Sequence, residues 1–301
     1  MDELSEINAN VTAQLRELAD TVAAADGVAA FGDAALIDLA RKTPIDEYAV
    51  ITEGDLPVAF AWCDGQTAEL AVHPDHRRRG LGTRLLAEVR RRHPNAAVWA
   101  HGHQPAAAAC AERNGLRQVR ELWMMRCDLS VFEELAQAHP EEMSAELSPP
   151  PGLKIRSFTD DDAAAWLELN AAAFAAHPEQ GQVDAAQFAE LRSQSWWQPH
   201  LLRLLEHATG TGPELAGFIW LTPHAPGVME IYVVGVHPDM QGQHLGRLLV
   251  REGIMTAVGM GAHTAILYVD AADEVAVRLY TSYDFRHCQS DVQYIAEELP
   301  A

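Results

Sequence analysis

One strand–turn–helix pattern occurs twice in this chain, and that duplication restricts the available folds more than any other feature. The second copy, Val228 to Leu249, reads V-M-E-I-Y-V-V-G-V-H-P-D-M-Q-G-Q-H-L-G-R-L-L, and the first, Glu69 to Leu86, reads E-L-A-V-H-P-D-H-R-R-R-G-L-G-T-R-L-L. His73-Pro74-Asp75 precedes His237-Pro238-Asp239 by 164 residues, and Gly82 precedes Gly246 by the same interval. Each copy begins as an apolar strand, breaks at H-P-D and enters a helix through a loop containing glycine. Two units this far apart imply duplicated domains rather than a solenoid. The chemistry of such a loop is anion binding, because backbone N–H groups and the helix dipole converge on a phosphate. Neither loop has the lysine of a P-loop or the G-x-G-x-x-G spacing of a dinucleotide fold.

A chain of 301 residues accommodates two domains of roughly 150 residues, each able to bury its own core. The acidic start, MDELSEINAN, has neither the basic nor the apolar region of a secretory signal. No apolar run approaches the roughly 18 residues of a membrane span. Cys63, Cys110, Cys127 and Cys288 form no C-x-x-C and read as reduced thiols of a cytoplasmic protein. The net charge of −21 excludes nucleic acid and anionic membrane as main partners and favours a cationic small-molecule amine. A monomer without metal is expected.

Helical spacing runs through Ile7, Val11, Leu15, Leu18 and Val22, and a short helix follows from Gly32 to Leu39. Asp33 lies in its first turn, where a carboxylate caps by default. Tyr48–Thr52 and Leu56–Cys63 read as a hairpin, and Thr67–Val72 as the strand before the first loop. Val98–His101, the helix Pro105–Arg113 and the strand Arg117–Asp128 complete a first domain, residues 1–130. The acidic E-E-M-S-A-E and the Ser148-Pro149-Pro150-Pro151-Gly152 run mark a linker over residues 131–152. The second domain, residues 153–301, repeats the order: a strand from Leu153, helices to about Phe174 and from Asp184, and strands at Leu201–His207 and Glu214–Leu221. After the second copy come the strand Thr264–Val269, the helix Asp273–Tyr283 and a closing strand Asp291–Ala296. Strands and helices in this order imply an α/β fold, each domain a mixed central sheet flanked by helices, with its ligand beyond the strand ends.

Glu230 stands out in a strand otherwise built of Val, Ile and Met, where a carboxylate is costly unless paired or facing a cavity. Arg77, Arg78 and Arg79 oppose the dipole of the helix they precede and make better sense with an anion bound. Arg90-Arg91-Arg92, at the far end of that helix, suits the dipole.

The loops resemble the acyl-CoA pyrophosphate loop of the GNAT acetyltransferases, Arg/Gln-x-x-Gly-x-Gly/Ala. The resemblance implies acetyl-CoA held by Arg77, Arg78, Arg79, Gly80, Leu81, Gly82 and Thr83 in the first copy. In the second it implies Gln241, Gly242, Gln243, His244, Leu245, Gly246 and Arg247. Backbone donors along Val234-Gly235-Val236, and along Leu70-Ala71-Val72 in the first copy, would hold the pantetheine. The N-terminal residues of the later helix, Asp273, Glu274, Val275, Ala276, Val277 and Arg278, would also border the coenzyme. Glu230 would bind the amine and take its proton, and Tyr280 would protonate the departing thiolate, with Tyr283 as rival. By register, Gln66 matches Glu230 and Ala111 matches Tyr280. The first copy thus lacks both acid and base, while the second has both behind a loop in which His244 replaces glycine.

Over nearly the whole chain, H-P-E-Q-G, E-I-Y-V-V-G-V-H-P, L-Y-V-D and V-R-L-Y resemble the mycothiol synthase family of tandem GNAT enzymes. The resemblance implies acetylation of the cysteinyl amine of a cysteinyl-glucosaminyl-inositol, with Asp33, Glu179, Glu230 and Tyr268 contacting that substrate. The departures are Thr222-Pro223-His224 where a lysine is frequent, Asp273 for an asparagine, His244 for a loop glycine, and Asp284 where Gly-Phe is common. A GNAT enzyme for another amine and a non-catalytic acetyl-CoA sensor are the alternatives.

Overall fold

A computed structural model of the chain describes residues 9–41, 47–138, 149–175, 180–210 and 212–297. Two compact units result, each assembled from both halves of the sequence: Met1–Trp123 with Asp270–Ala272 and Gln289–Ala301, and Met124–Val269 with Asp273–Cys288.

In the first unit, helices α1 (Ala9–Asp26) and α2 (Asp33–Arg41) precede strands β1 (Tyr48–Glu53), β2 (Leu56–Cys63) and β3 (Thr67–Val72). Helix α3 (Leu81–Arg92), strand β4 (Ala97–Ala100), helix α4 (Pro105–Arg113) and strand β5 (Leu116–Asp128, to residue 123) follow. Strands β1, β2 and β3 pair antiparallel, and β4 adds parallel to β3. The helical periodicity of α1 is the cause of its packing: Val11, Leu15, Leu18 and Val22 lie one turn apart and are buried with Phe31, Phe60 and Trp62. Helix α3 covers the opposite face with Leu81, Leu85, Leu86 and Val89.

The second unit contains α5 (Ser130–Ala138), β6 (Leu153–Ser157), α6 (Ala163–Ala173), α7 (Ala185–Ser193), β7 (Leu202–Thr209) and β8 (Gly212–Ala225). Then come β9 (Val228–Val236), α8 (Leu245–Gly259), β10 (Thr264–Asp270) and α9 (Glu274–Thr281). Its strands lie in the order β5, β10, β9, β8, β7, β6, with β9 parallel to β10 and the β6–β9 neighbours antiparallel. Local capping starts the helices as the sequence implies. Thr159 and Asp162 form a capping box ahead of α6, and Asp184 forms one with Gln187 at α7. The wide apolar face of α8, including Leu249, Val250, Ile254 and Ala257, is buried. Among the described residues no helix is long and apolar enough to cross a membrane.

Two expectations change. Residues 131–138, expected within the linker, belong to helix α5, whose start is fixed by the Asp128 carboxylate accepting the Ser130 N–H at 2.9 Å; residues 139–148 lie outside the described residues. The closing strand, β11 (Arg286–Ala296), does not finish the second unit. Its Val292, Gln293 and Tyr294 pair with Ala100, Trp99 and Val98 of β4. Val292 and Tyr294 enter the core of the first unit, and Asp291 is anchored there by His101 and the Gly102 N–H.

Candidate active site

The strand pairing opens at the same place in each unit. In the second unit the parallel ladder between β9 and β10 runs from Val228↔Thr264 to Ile231↔Leu267 and stops, although β9 continues to Val236. The edge of residues 233–236 therefore offers backbone N–H and C=O groups to another partner. An extended ligand carrying amides could supply it, and Val234, Gly235 and Val236 border this wedge. Gly235 must be glycine, since a Cβ there would lie 2.7 Å from the Phe218 ring. In the first unit the β3–β4 ladder holds only Thr67↔Ala97 and Ala68↔Val98 while β3 runs on to Val72. A cavity of about 440 Å³ there is lined by Leu70, Ala71 and Val72, by Arg77, Arg78 and Gly80, and by Leu81, Gly82 and Thr83.

The paired loops share one construction. His73 Nδ1 accepts the Asp75 N–H at 3.2 Å and His237 Nδ1 accepts the Asp239 N–H at 3.2 Å, so the repeated H-P-D is a turn brace. Arg77 Nε donates to the Val72 carbonyl at 3.2 Å, and Gln241 Nε2 donates to the Val236 carbonyl at 3.3 Å. The Arg/Gln choice in the motif is thereby explained: both side chains tie the loop to the end of its strand. Two residues in each loop take left-handed backbone, Arg78 (φ 64°) and Gly80 (φ 78°) in the first, Gly242 (φ 76°) and His244 (φ 61°) in the second. His244 does adopt the conformation that glycine takes freely. The expected asymmetry is nevertheless reduced, because Arg78 carries the same strain in the first loop. Asp284 (φ 63°) likewise occupies the left-handed position that Gly115 (φ 65°) holds in the first copy.

The arginine run is less available to an anion than its sequence suggests. Arg77 makes a bidentate pair with Asp26 at 2.7 and 2.9 Å, and Arg79 meets Glu53 at 3.0 Å. Arg78 lines the cavity together with Arg77 and Asp26. Beside the second loop, Gln243, His244, Leu245, Arg247 and Arg251 line a hollow of about 510 Å³ with Tyr283. Gly246 opens the first turn of α8, where amides have no partner within the helix. At α9, Asp273 caps the helix by accepting the Val275 and Ala276 N–H groups at 3.1 and 2.9 Å. Glu274 pairs with Arg278 at 2.9 Å, and Val277 follows Ala276 within the same helix. The Val275 and Ala276 amides, expected to border the coenzyme, are thus already engaged by Asp273.

Glu230 owes its orientation to a β-bulge. Across β8 and β9 the register runs Gly217↔Val236 to Trp220↔Val233, then skips Tyr232 to resume at Leu221↔Ile231 and Thr222↔Glu230. One extra residue exchanges the faces of everything beyond it. Glu230 therefore projects with Thr222 and Trp220, on the face covered by α6 and α7, and not with Val234 and Ile219. His224, on the same face, puts Nδ1 3.4 Å from Glu230 Oε2, beside a carboxylate that is only 17% exposed. An imidazole thus stands near Glu230 in place of the lysine. Strand β3 pairs with β2 without a break, from Val72↔Ala59 to Ala68↔Cys63. The structural counterpart of Glu230 is consequently Thr67, one residue beyond the expected Gln66.

Tyr280 is buried on α9 and packs edge-on against Phe285, with ring centroids 6.0 Å apart. Burial, then the Asp273 carboxylate, pushes its pKa well above the ordinary phenol value, so it carries its proton at neutral pH. Tyr283 is a poorer donor because its hydroxyl already donates to the Arg247 carbonyl at 2.8 Å. Tyr268 lies on β10 one residue past the last paired position and is exposed. Asp33 begins α2, but its side chain is outside the described residues, as is the whole of Glu179.

Two groups escaped the sequence reading. Half-exposed Trp196 meets Tyr232 with centroids 6.1 Å apart, and the Trp196-Trp197 pair was a signal for it. In the first unit His101 is held between Asp291 Oδ2 at 2.9 Å and Glu69 Oε1 at 3.2 Å. Glu69 also accepts the Gly32 N–H at 2.8 Å. Burial alone would lower the His101 pKa, but the hydrogen bonds to Asp291 and Glu69 outweigh it and push it up to about 10. The imidazolium therefore stabilises the fold fully below the unfolded value of about 6.5, and that contribution is lost as pH rises through about 10. Replacing His101 by Gln should cost about 3–5 kcal/mol at pH 6. Denaturant titrations should show the gap between wild type and variant closing toward pH 10.5; a gap independent of pH would contradict the charged imidazole.

A fold with a splayed parallel strand pair above a helix N-terminus, present twice, defines a class. Residues 163–285 match the acetyltransferase (GNAT) family and residues 44–117 match an acetyltransferase (GNAT) domain. The chain is a tandem GNAT protein, an acetyl-CoA-dependent N-acetyltransferase. It belongs to the mycothiol acetyltransferase family: it is 37% identical to the mycothiol acetyltransferase of a Nocardioides species, over 95% of this chain and 98% of that one. The mycothiol acetyltransferase of Clavibacter sepedonicus is 38% identical over 92% of this chain and 89% of that protein. Among solved structures, a tandem GNAT protein from the clavulanic acid biosynthesis pathway superposes with a TM-score of 0.69 at 20% identity, covering 99% of this chain and 98% of that one. A GCN5-related N-acetyltransferase from Sphaerobacter thermophilus gives 0.68 at 21% identity, over 98% of this chain and 96% of that one. These two likenesses concern the fold.

Proposed function

We propose that the chain transfers the acetyl group of acetyl-CoA to the cysteinyl amine of a cysteinyl-glucosaminyl-inositol, releasing mycothiol and CoA. The observation that carries this reading is the wedge beyond Ile231 with Glu230 at its closed end, in a chain alike over 95% of its length to a mycothiol acetyltransferase. Val234, Gly235 and Val236 orient the thioester through backbone groups and polarise its carbonyl. Glu230 binds the incoming ammonium and removes one proton, so that the neutral amine attacks. This is a modest task, because an α-amino group has a pKa of about 7.7–8.0 against about 10.4 for lysine. Tyr280, which burial and Asp273 keep protonated, gives its proton to the departing thiolate. Tyr268, Asp33 and Glu179 contact the acceptor.

The chemistry belongs to the second unit, residues 124–269 with 273–288, while the first unit holds coenzyme without turnover. The cavity at Leu70–Val72 supports the second half of this reading, and Thr67 and Ala111 at the positions of Glu230 and Tyr280 support the first. The enzyme acts in the cytoplasm as a monomer on a small molecule, with no metal, nucleic acid or membrane partner.

An acetyl-CoA turnover assay across cysteinyl-glucosaminyl-inositol, an aminoglycoside, a polyamine and an N-terminal peptide tests the substrate. The cysteinyl acceptor should give the highest kcat/KM, and a higher value for any other amine would replace it. Glu230→Gln should raise KM for the amine and move the acid limb of the pH–rate profile. If only the acetyl-CoA KM moved, Glu230 would not be the partner of the amine.

A further inference from the structure

The bulge that turns Glu230 also exposes an aromatic side chain beside it. Tyr232 is the extra residue of β9, and its ring lies 5.1 Å from that of Trp220 on the α6–α7 face. Trp196, in the turn after α7, lies 6.1 Å from both Tyr232 and Trp220. Beneath them Trp220 contacts Trp166, Phe188 and Trp197 at centroid separations of 5.1–6.0 Å, and of these Trp220, Trp166 and Phe188 are almost fully buried. The ledge is therefore rigid while its upper surface is open: Tyr232 is 38% exposed and Trp196 is partly exposed. Large aromatic surface facing water next to a carboxylate is where ligand rings stack at little entropic cost.

We infer that Tyr232 and Trp196 form the platform on which the sugar and cyclitol rings of the acceptor lie while Glu230 holds its amine. The inference rests on the proposed reading of Glu230 as the amine's partner and extends it to the rest of the substrate. A polyol ring presents C–H groups on its faces and hydroxyls at its rim, so its faces match aromatic surface and its rim stays in water. Uncharged rings need no ion pair, and the ledge supplies none. The bulge gives the arrangement its geometry: Glu230 and Tyr232 share a face by ordinary alternation, and the slip at Tyr232 is what brings that face into line with Trp220 and Val233. The first copy, with an unbroken register, has no such ledge.

The test compares cysteinyl-glucosaminyl-inositol with cysteinamide, which has the same amine and no rings. Trp196→Ala and Tyr232→Ala should each lower the preference for the ringed acceptor, taken as the ratio of the two kcat/KM values, by roughly tenfold. Trp196→Phe and Tyr232→Phe should restore most of it. General structural damage lowers both acceptors together, and a ratio within twofold of wild type would overturn the inference. So would a rise confined to the acetyl-CoA KM, which would place the ledge under the coenzyme. Should wild type fail to acetylate the ringed acceptor, the proposed function falls, and tryptophan fluorescence with free glucosaminyl-inositol decides the ledge independently. Quenching that is lost in Trp196→Ala and Tyr232→Ala sustains it, and no binding to wild type refutes it.

Discussion

Tyr280→Phe should lower kcat by roughly 10²–10⁴, the usual contribution of a positioned general acid, with little change in acetyl-CoA binding. The substitution removes one hydroxyl and leaves the ring packed on Phe285. Burial and the Asp273 carboxylate keep Tyr280 protonated, as a donor to a thiolate must be. Pre-steady-state rates with a poorer and a better thiol leaving group would locate the defect in thiolate departure. Wild-type turnover in the variant would return the role to Tyr283, at the cost of its hydrogen bond to the Arg247 carbonyl.

Gly246→Asp should abolish turnover, and Gly80→Asp should eject coenzyme from the first unit while leaving most turnover intact. Each change puts a carboxylate into the loop that would face pyrophosphate, where like charges repel and the helix amides are blocked. At Gly246 a Cβ meets only the Leu279 methyl, at an ordinary 3.4 Å, so the effect is electrostatic rather than steric. At Gly80 a Cβ meets nothing within 4 Å, though the left-handed backbone (φ 78°) adds strain that Asp tolerates better than most residues. Since Arg77 and Arg79 are paired to Asp26 and Glu53, Arg78 and the first-turn amides carry the attraction of the first loop. Calorimetry with acetyl-CoA, run beside steady-state rates, separates the two sites. Loss of catalysis in a folded Gly80→Asp protein would make the first unit the working one.

The duplication, the two loops and most element boundaries could be read directly because their causes are local. Apolar spacing sets α1, capping carboxylates start α6 and α7, and H-P-D followed by Arg or Gln braces each loop through contacts at most five residues apart. His244 was recognised as a strained position for the same reason, because a left-handed cap depends on one residue's φ. What only the tertiary structure decided depends on partners distant in sequence. Asp26 claims Arg77 across 51 residues, and Asp291 claims His101 across 190, carrying β11 into the first unit. The direction of Glu230 depends on which residue of β8 faces which residue of β9. Side chains alternate with period two, so the single extra residue Tyr232 moves the carboxylate to the opposite face, and nothing in the composition of either strand announces where a ladder will slip.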